Sequence, residues 1–212
     1  MSIQRLMTLK SENDAKGLEM LTEAGRFSAL ADRKNNGLAP KAISSFNLFQ
    51  TPDKIADRMV SMIPDRLFKY PTILEPSVGL GRLFYAINKK TYGYCRYTLV
   101  ENNPECMKEV YKFSRNEKAE LKQVDFLSLD LKRGFDIIIM NPPFKMGTDI
   151  KHILHARKFL KKDGILVSLC YNGVKQNKLL EPLCDSWEVL PEDSFKSEGT
   201  RASVSLLTMR IE

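Results

Sequence analysis

The chain has 212 residues, with 33 Lys+Arg against 26 Asp+Glu for a formal charge of +7, 43% hydrophobic and 28% charged residues. This ordinary globular composition supports one full domain and a small extension. The longest apolar runs, Phe135 to Met140 and Ile165 to Cys170, fall far short of the roughly 20 residues that span a bilayer. Met1 to Lys10 has no apolar stretch leading to a small-residue cleavage site, so no membrane segment or secretory signal is read and a cytoplasmic location is expected. The four cysteines, Cys95, Cys106, Cys170 and Cys184, show no C-x-x-C spacing. That argues against a disulfide framework and a zinc site and predicts free, mostly buried thiols.

In chain order, residues 1–45 read as a helical arm or cap, with Leu18 and Leu21 apolar among charges, ended by the loop-like Lys34-Asn35-Asn36-Gly37 and Pro40. Phe46 to Pro52 leads into a helix predicted from Asp53 to about Met62, with Pro52 suited to a first-turn position. From Tyr70 short apolar runs alternate with amphipathic stretches. Strands are predicted at Thr72–Glu75, Arg96–Glu101, Leu121–Asp125, Phe135–Asn141, Gly164–Tyr171, Trp187–Leu190 and Val204–Ile211; helices at Arg82–Lys89, Pro104–Ser114, Asp149–Lys162 and Val174–Cys184. This alternation predicts an α/β fold, a mainly parallel sheet with helices on both faces and ligands bound beyond the carboxyl ends of the strands. The last two strands are too close for a crossover helix, so an antiparallel hairpin is expected at the sheet edge.

Two clusters carry chemistry. In Glu75-Pro76-Ser77-Val78-Gly79-Leu80-Gly81 a strand ends in an acid and a Gly-x-Gly turn opens a helix, which brings a ligand close to backbone amides. The dinucleotide fingerprint is absent because its third glycine would fall at Phe84. Glu75 suits an ammonium-bearing cofactor, Glu101 at the next strand end suits two ribose hydroxyls, and Asp125-Phe126 suits an adenine amino group and ring face; each alone is equally consistent with a helix cap or solvated loop residue. The second cluster, Asn141-Pro142-Pro143-Phe144, ends a buried strand. Its prolines remove backbone donors, so the carbonyls of Asn141 and Pro142 are left to accept, and Phe144 supplies a surface for a planar group.

Together with Phe49-Gln50-Thr51-Pro52, these segments resemble the class I S-adenosylmethionine-dependent methyltransferases of the Asn-Pro-Pro-Phe type, most closely the N6-adenine DNA methyltransferases. The resemblance covers residues 46–212 and implies a Rossmann-like seven-stranded sheet of order 3-2-1-4-5-7-6 with strand 7 antiparallel. It implies S-adenosylmethionine as cofactor, its methionine end near Thr51, Pro52 and the Glu75-Pro76 to Gly79 and Gly81 loop, its ribose on Glu101 and its adenine at Asp125 and Phe126. It further implies that Asn141, Pro142, Pro143 and Phe144 hold the target base, with Asn141 also facing the cofactor, and that Phe195 is a second stacking aromatic or else a core residue of the last hairpin.

The acceptors open to such a motif are adenine in DNA, adenine in RNA and a protein glutamine amide; a non-catalytic methyltransferase-fold subunit that binds nucleic acid is a further alternative. The positive charge favours nucleic acid, and the F-x-T-P segment favours DNA. Little chain remains for target recognition, so a partner subunit is one route to selectivity. His152 and His155 stand at i, i+3 on a predicted helix, but without a third ligand in metal spacing no metal is expected. Lys151, Arg157, Lys158, Lys161 and Lys162 read as a solvated helix face, whereas Arg33, Lys34, Lys41, Lys175, Lys178, Lys196 and Arg201 are the candidates for phosphate contact.

Overall fold

The computed structural model describes residues 50–91, 94–114, 118–131 and 134–211. The predicted N-terminal arm, with Arg33, Lys34 and Lys41, and Phe49 of the F-x-T-P segment lie outside the described residues. Helix α1 (Asp53–Ser61) precedes β1 (Thr72–Glu75), α2 (Arg82–Thr91), β2 (Arg96–Val100), α3 (Pro104–Phe113), β3 (Ala119–Lys122), β4 (Phe135–Met140), α4 (Thr148–Arg157), β5 (Leu160–Tyr171), α5 (Val174–Leu179), β6 (Ser186–Val189) and β7 (Val204–Met209). The seven strands form one sheet of order β3-β2-β1-β4-β5-β7-β6. β1 to β5 pair in parallel, and β7 runs antiparallel to both β5 and β6. The expected α/β architecture, strand order and edge hairpin are all present.

Two cores follow from the period-2 alternation of strand side chains. Ile73, Ile137, Ile139, Val167 and Leu169 face one side and pack with Met59 of α1, Phe84 and Ile87 of α2 and Val110 of α3. Leu74, Ile138, Met140, Leu166 and Leu207 face the other and pack with Ile150, Ile153 and Ala156 of α4. Because both faces are covered, β4 reads as the continuous apolar run Ile137 to Met140 rather than as an alternating one. Asn103 caps α3, its Oδ1 accepting from the Glu105 amide at 2.9 Å while Pro104 fills the first turn.

Among the boundaries that differ from the sequence reading, the larger shifts have local causes. β3 ends at Lys122 because Asp125 is drawn into capping the 3₁₀ turn Phe126–Ser128, its Oδ1 accepting from the Leu127 amide. α4 stops at Arg157 and β5 begins at Leu160, since Phe159 and Leu160 are buried in the second core and Asp163 takes a φ of 63°. α5 ends at Leu179, and a 3₁₀ turn (Glu181–Leu183) holding Pro182 follows, because a proline cannot continue the α-helical hydrogen bonds. Cys95, Cys106, Cys170 and Cys184 are free, the first three buried. Among the described residues no helix is long and apolar enough to cross a membrane.

The strand order reverses between β1 and β4, so the loops leaving their carboxyl ends diverge to opposite sides of the sheet and open a crevice. Glu75 and Asn141 stand at its two lips.

Candidate active site

A cavity of about 480 Å³ occupies that crevice, a size that suits a nucleoside-bearing small molecule. Thr51, Glu75, Pro76, Gly79, Glu101, Asp125, Phe126, Asn141 and Pro143 all line it. Segments that are distant in sequence therefore meet in one place.

Glu75, the last residue of β1, is 1% exposed, and its Oε2 has no hydrogen-bond partner among the described residues. Burial raises its carboxyl pKa well above 4.5, and the neighbouring Glu101 charge pushes the same way. A cation delivered to this wall would relieve both effects.

Glu101, just past β2, is held from both sides: the Gly79 amide donates to Oε2 at 2.8 Å and the Asn103 amide to Oε1 at 2.8 Å. Each oxygen keeps a second lone pair, so the oriented carboxylate can accept from two adjacent hydroxyls. Gly79 and Gly81 have φ of 56° and 83°, the left-handed region that favours glycine. Their roles differ. Gly79 faces the cavity, whereas a Cβ on Gly81 would collide with the Phe113 ring, so Gly81 serves helix packing behind the loop rather than ligand approach.

The far end of the cavity is formed by Val124, Asp125, Phe126, Leu127 and His152. Phe126 lies on this wall, but its ring is 2% exposed and packs edge to face with His152, His155 and Phe159. The apolar surface available to a ring there comes from Val124 and Leu127, half-buried residues that strand-end reasoning passed over. His152 is buried, and desolvation pushes its pKa down to about 4, opposed by the Asp125 charge. The imidazole is thus neutral at physiological pH. His155 instead bonds the Leu129 carbonyl through Nε2 at 2.8 Å, and among the described residues no cluster of His, Cys, Asp and Glu gathers to hold a metal.

On the opposite lip Asn141 ends the buried run of β4, and its Nδ2 donates to Thr51 Oγ1 at 3.1 Å. Thr51 is itself buried, and the carbonyl of Pro52 accepts from the Ile55 and Ala56 amides to start α1. The two motif segments, 90 residues apart, are therefore one structural unit. Pro52, Pro142 and Phe144 support this wall without lining the cavity, Phe144 half-buried against the first core. Phe195, expected as a second stacking aromatic or a core residue, is the latter: it is 1% exposed within the first core and offers no face to a ligand.

Sequence reasoning also missed Gln50, Arg82, Lys145 and Met146 on the cavity wall. The signal was adjacency, since each lies within two residues of a motif that was read.

The model of the methyltransferase small domain family matches residues 49–196. The type II methyltransferase M.CvrRI of Paramecium bursaria Chlorella virus XZ-6E is 27% identical over 197 residues, covering 82% of this chain and 50% of that protein. The methyltransferase subunit of a type I restriction-modification system from Streptococcus thermophilus superposes with a TM-score of 0.64 at 18% identity, over 77% of this chain and 45% of that one. A tRNA m1G37 methyltransferase of M. jannaschii superposes with a TM-score of 0.54 at 15% identity, over 78% of this chain and 52% of that one. The chain spans about half the length of these relatives. With the unpartnered acid, the left-handed glycine and the doubly anchored Glu101 arranged along one cavity, the chain belongs to the methyltransferase small domain family, whose methyl donor, S-adenosylmethionine, those residues fit.

Proposed function

We propose that the protein transfers the sulfonium methyl of S-adenosylmethionine to the exocyclic N6 amine of adenine in DNA. The observation that carries this reading is the Thr51–Asn141 hydrogen bond. It welds the Asn-Pro-Pro-Phe strand end to the segment beside Glu75, so an amine docked at Asn141 lies at the cofactor's reactive end.

The bound cofactor supplies an electrophilic methyl group; the protein supplies position. Donation from Asn141 Nδ2 to Thr51 turns the amide oxygen to the opposite side. That oxygen and the Pro142 carbonyl accept the two amino hydrogens, which localises the nitrogen lone pair and aims it at the methyl. Phe144, half-buried, supports the ring plane; as the new C–N bond forms the S–CH3 bond breaks, leaving the neutral thioether, and the excess proton leaves to solvent. In a duplex the base has to leave the stack at a cost of a few kcal/mol, offset in part by stacking on Phe144. DNA over RNA rests on the F-x-T-P resemblance. Target selection is then assigned to residues beyond this cavity, including a partner subunit.

The test incubates the protein with methyl-labelled S-adenosylmethionine and duplex DNA, single-stranded DNA, structured RNA or a protein extract, then identifies the labelled product after digestion. N6-methyladenine from DNA is expected, lost in Asn141→Ala with cofactor binding retained. Label confined to RNA or to protein glutamine overturns the assignment.

A further inference from the structure

The cofactor's amino-acid head carries two charges, and the motifs account for only one. Glu75 addresses its ammonium; its carboxylate requires a cation or donor on the same stretch of wall. Among the described lining residues the positively charged side chains are Arg82 and Lys145. Lys145 is exposed at the mouth, beyond Phe144. Arg82 opens α2 one residue after Gly81 and lines the cavity with Thr51, Glu75 and Gly79.

Two further observations mark Arg82 as a ligand group rather than a surface charge. Its Nε is buried with no hydrogen-bond partner among the described residues, as is Oε2 of Glu75. Glu75 and Arg82 thus line one cavity, and each keeps a buried polar atom without a hydrogen-bond partner among the described residues, an arrangement that a zwitterion satisfies and that a buried core avoids. The ion pair that Arg82 does make, NH1 to Asp53 Oδ1 at 2.6 Å, involves an acid whose side chain is 76% exposed. A pair so open to water contributes little to stability. It does orient the guanidinium, because Asp53 directly follows Thr51-Pro52 and begins α1. A fork of five donors anchored at one nitrogen keeps others available for a carboxylate.

We infer that Arg82 binds the α-carboxylate of the methyl donor, so that Glu75 and Arg82 together read its zwitterionic head while Asp53 positions the guanidinium. The inference rests on S-adenosylmethionine as the ligand of this cavity.

Binding separates this role from a structural one without recourse to turnover. Isothermal titration would compare S-adenosylmethionine with decarboxylated S-adenosylmethionine, which keeps the sulfonium, adenosine and ammonium and lacks only the carboxylate. Wild type is expected to prefer the intact compound by about tenfold or more, and Arg82→Gln to bind the two alike, with affinity for the decarboxylated probe unchanged. Arg82→Lys should restore part of the preference, while Glu75→Gln should weaken both ligands together because both carry the ammonium. Because the decarboxylated probe reports an intact site, a variant that misfolds is recognised by losing both ligands, and the comparison then rests on Arg82→Lys. A preference undiminished in Arg82→Gln and Arg82→Lys, or its absence in wild type, overturns the inference. Wild type that binds neither compound overturns the cofactor assignment itself.

Discussion

At the scale of single residues, the site stores its function as unsatisfied electrostatics. Glu75 is an acid whose surroundings disfavour its charge: burial and Glu101 both hold its proton on, and no donor meets Oε2 among the described residues. The native pKa lies above the unfolded value near 4.5, so the folded state binds more protons across the interval between them. Stability without ligand is therefore greatest below that interval and falls as pH rises through the native pKa. Glu75→Gln removes the ionisable group and should flatten this slope. Denaturation midpoints taken from about pH 5 to about pH 8 should diverge in favour of the variant as pH increases, while its cofactor affinity drops. A variant no more stable than wild type at the upper end, with the wild-type slope intact, would contradict the burial argument. Glu75 could be read from the sequence because a strand ending in an acid runs into a Gly-x-Gly turn, and Glu101 because it ends the next strand, although either acid alone would also suit a cap or a solvated loop. Arg82 had only its adjacency to Gly81 and His152 had no such signal, because nothing in a lone Arg or His says whether its head will be sealed inside a cavity; that depends on which loops the sheet brings over it.

At the scale of elements, the strand ends are held in place by a buried carboxylate. Asp149, in the first turn of α4, is fully buried; its Oδ2 accepts from the Tyr171 amide at the end of β5, and both oxygens accept from Gln176 Nε2 in α5 at 3.0 to 3.1 Å. The Ile150 amide also donates to Oδ1. One side chain thus ties together the segment leaving Asn-Pro-Pro-Phe, β5 and α5. Desolvation raises its pKa against these hydrogen bonds, yet without Asp149 three donors, the Ile150 amide and Gln176 Nε2 buried and the Tyr171 amide part-buried, would lose their acceptor. Asp149→Ala is expected to cost about 3 kcal/mol or more in urea denaturation, and Asp149→Asn less, since it keeps one acceptor oxygen and sheds the desolvated charge. Equal losses in the two would show that the hydrogen bonds do not carry the effect. No sequence pattern announces such a network: Asp149 and Gln176 stand 27 residues apart on elements read only as amphipathic. The elements themselves were readable, because the isoleucine run of β4 and the proline and glycine signals around it describe local geometry. The boundaries that slipped, at Lys122, Arg157 and Leu179, are places where a cap, a buried Phe159-Leu160 pair or a proline overrode helical or strand periodicity.

At the scale of the whole molecule, the topology decides which charges can meet a polymer. Tyr171 pairs with Val204, and the Asn172 amide donates to the Ser203 carbonyl, so the loops that follow β5 and precede β7 share the sheet end that carries Asn141. Lys175 and Lys178 on α5, Arg201 on the loop before β7, and Lys145 at the cavity mouth are exposed. Lys161, by contrast, pairs with Asp136 beside Thr72 at the opposite end of the sheet and is removed from any such surface. A formal charge of +7 over the chain is modest, so the distribution of cations matters more than their sum. If about four of them neutralise phosphates, nucleic-acid affinity should fall about a hundredfold between roughly 50 and roughly 200 mM salt, while binding of the small cofactor, which displaces no condensed counterions, changes little. Fluorescence anisotropy with a labelled DNA would give the slope of log affinity against log salt. Lys175→Ala with Lys178→Ala should reduce its magnitude by about 2 units, and Lys161→Ala should leave it unchanged. A flat salt dependence, or equal effects at both ends of the sheet, would remove nucleic acid from this face and leave a glutamine side chain, which brings no phosphates, as the acceptor that Asn141 best fits.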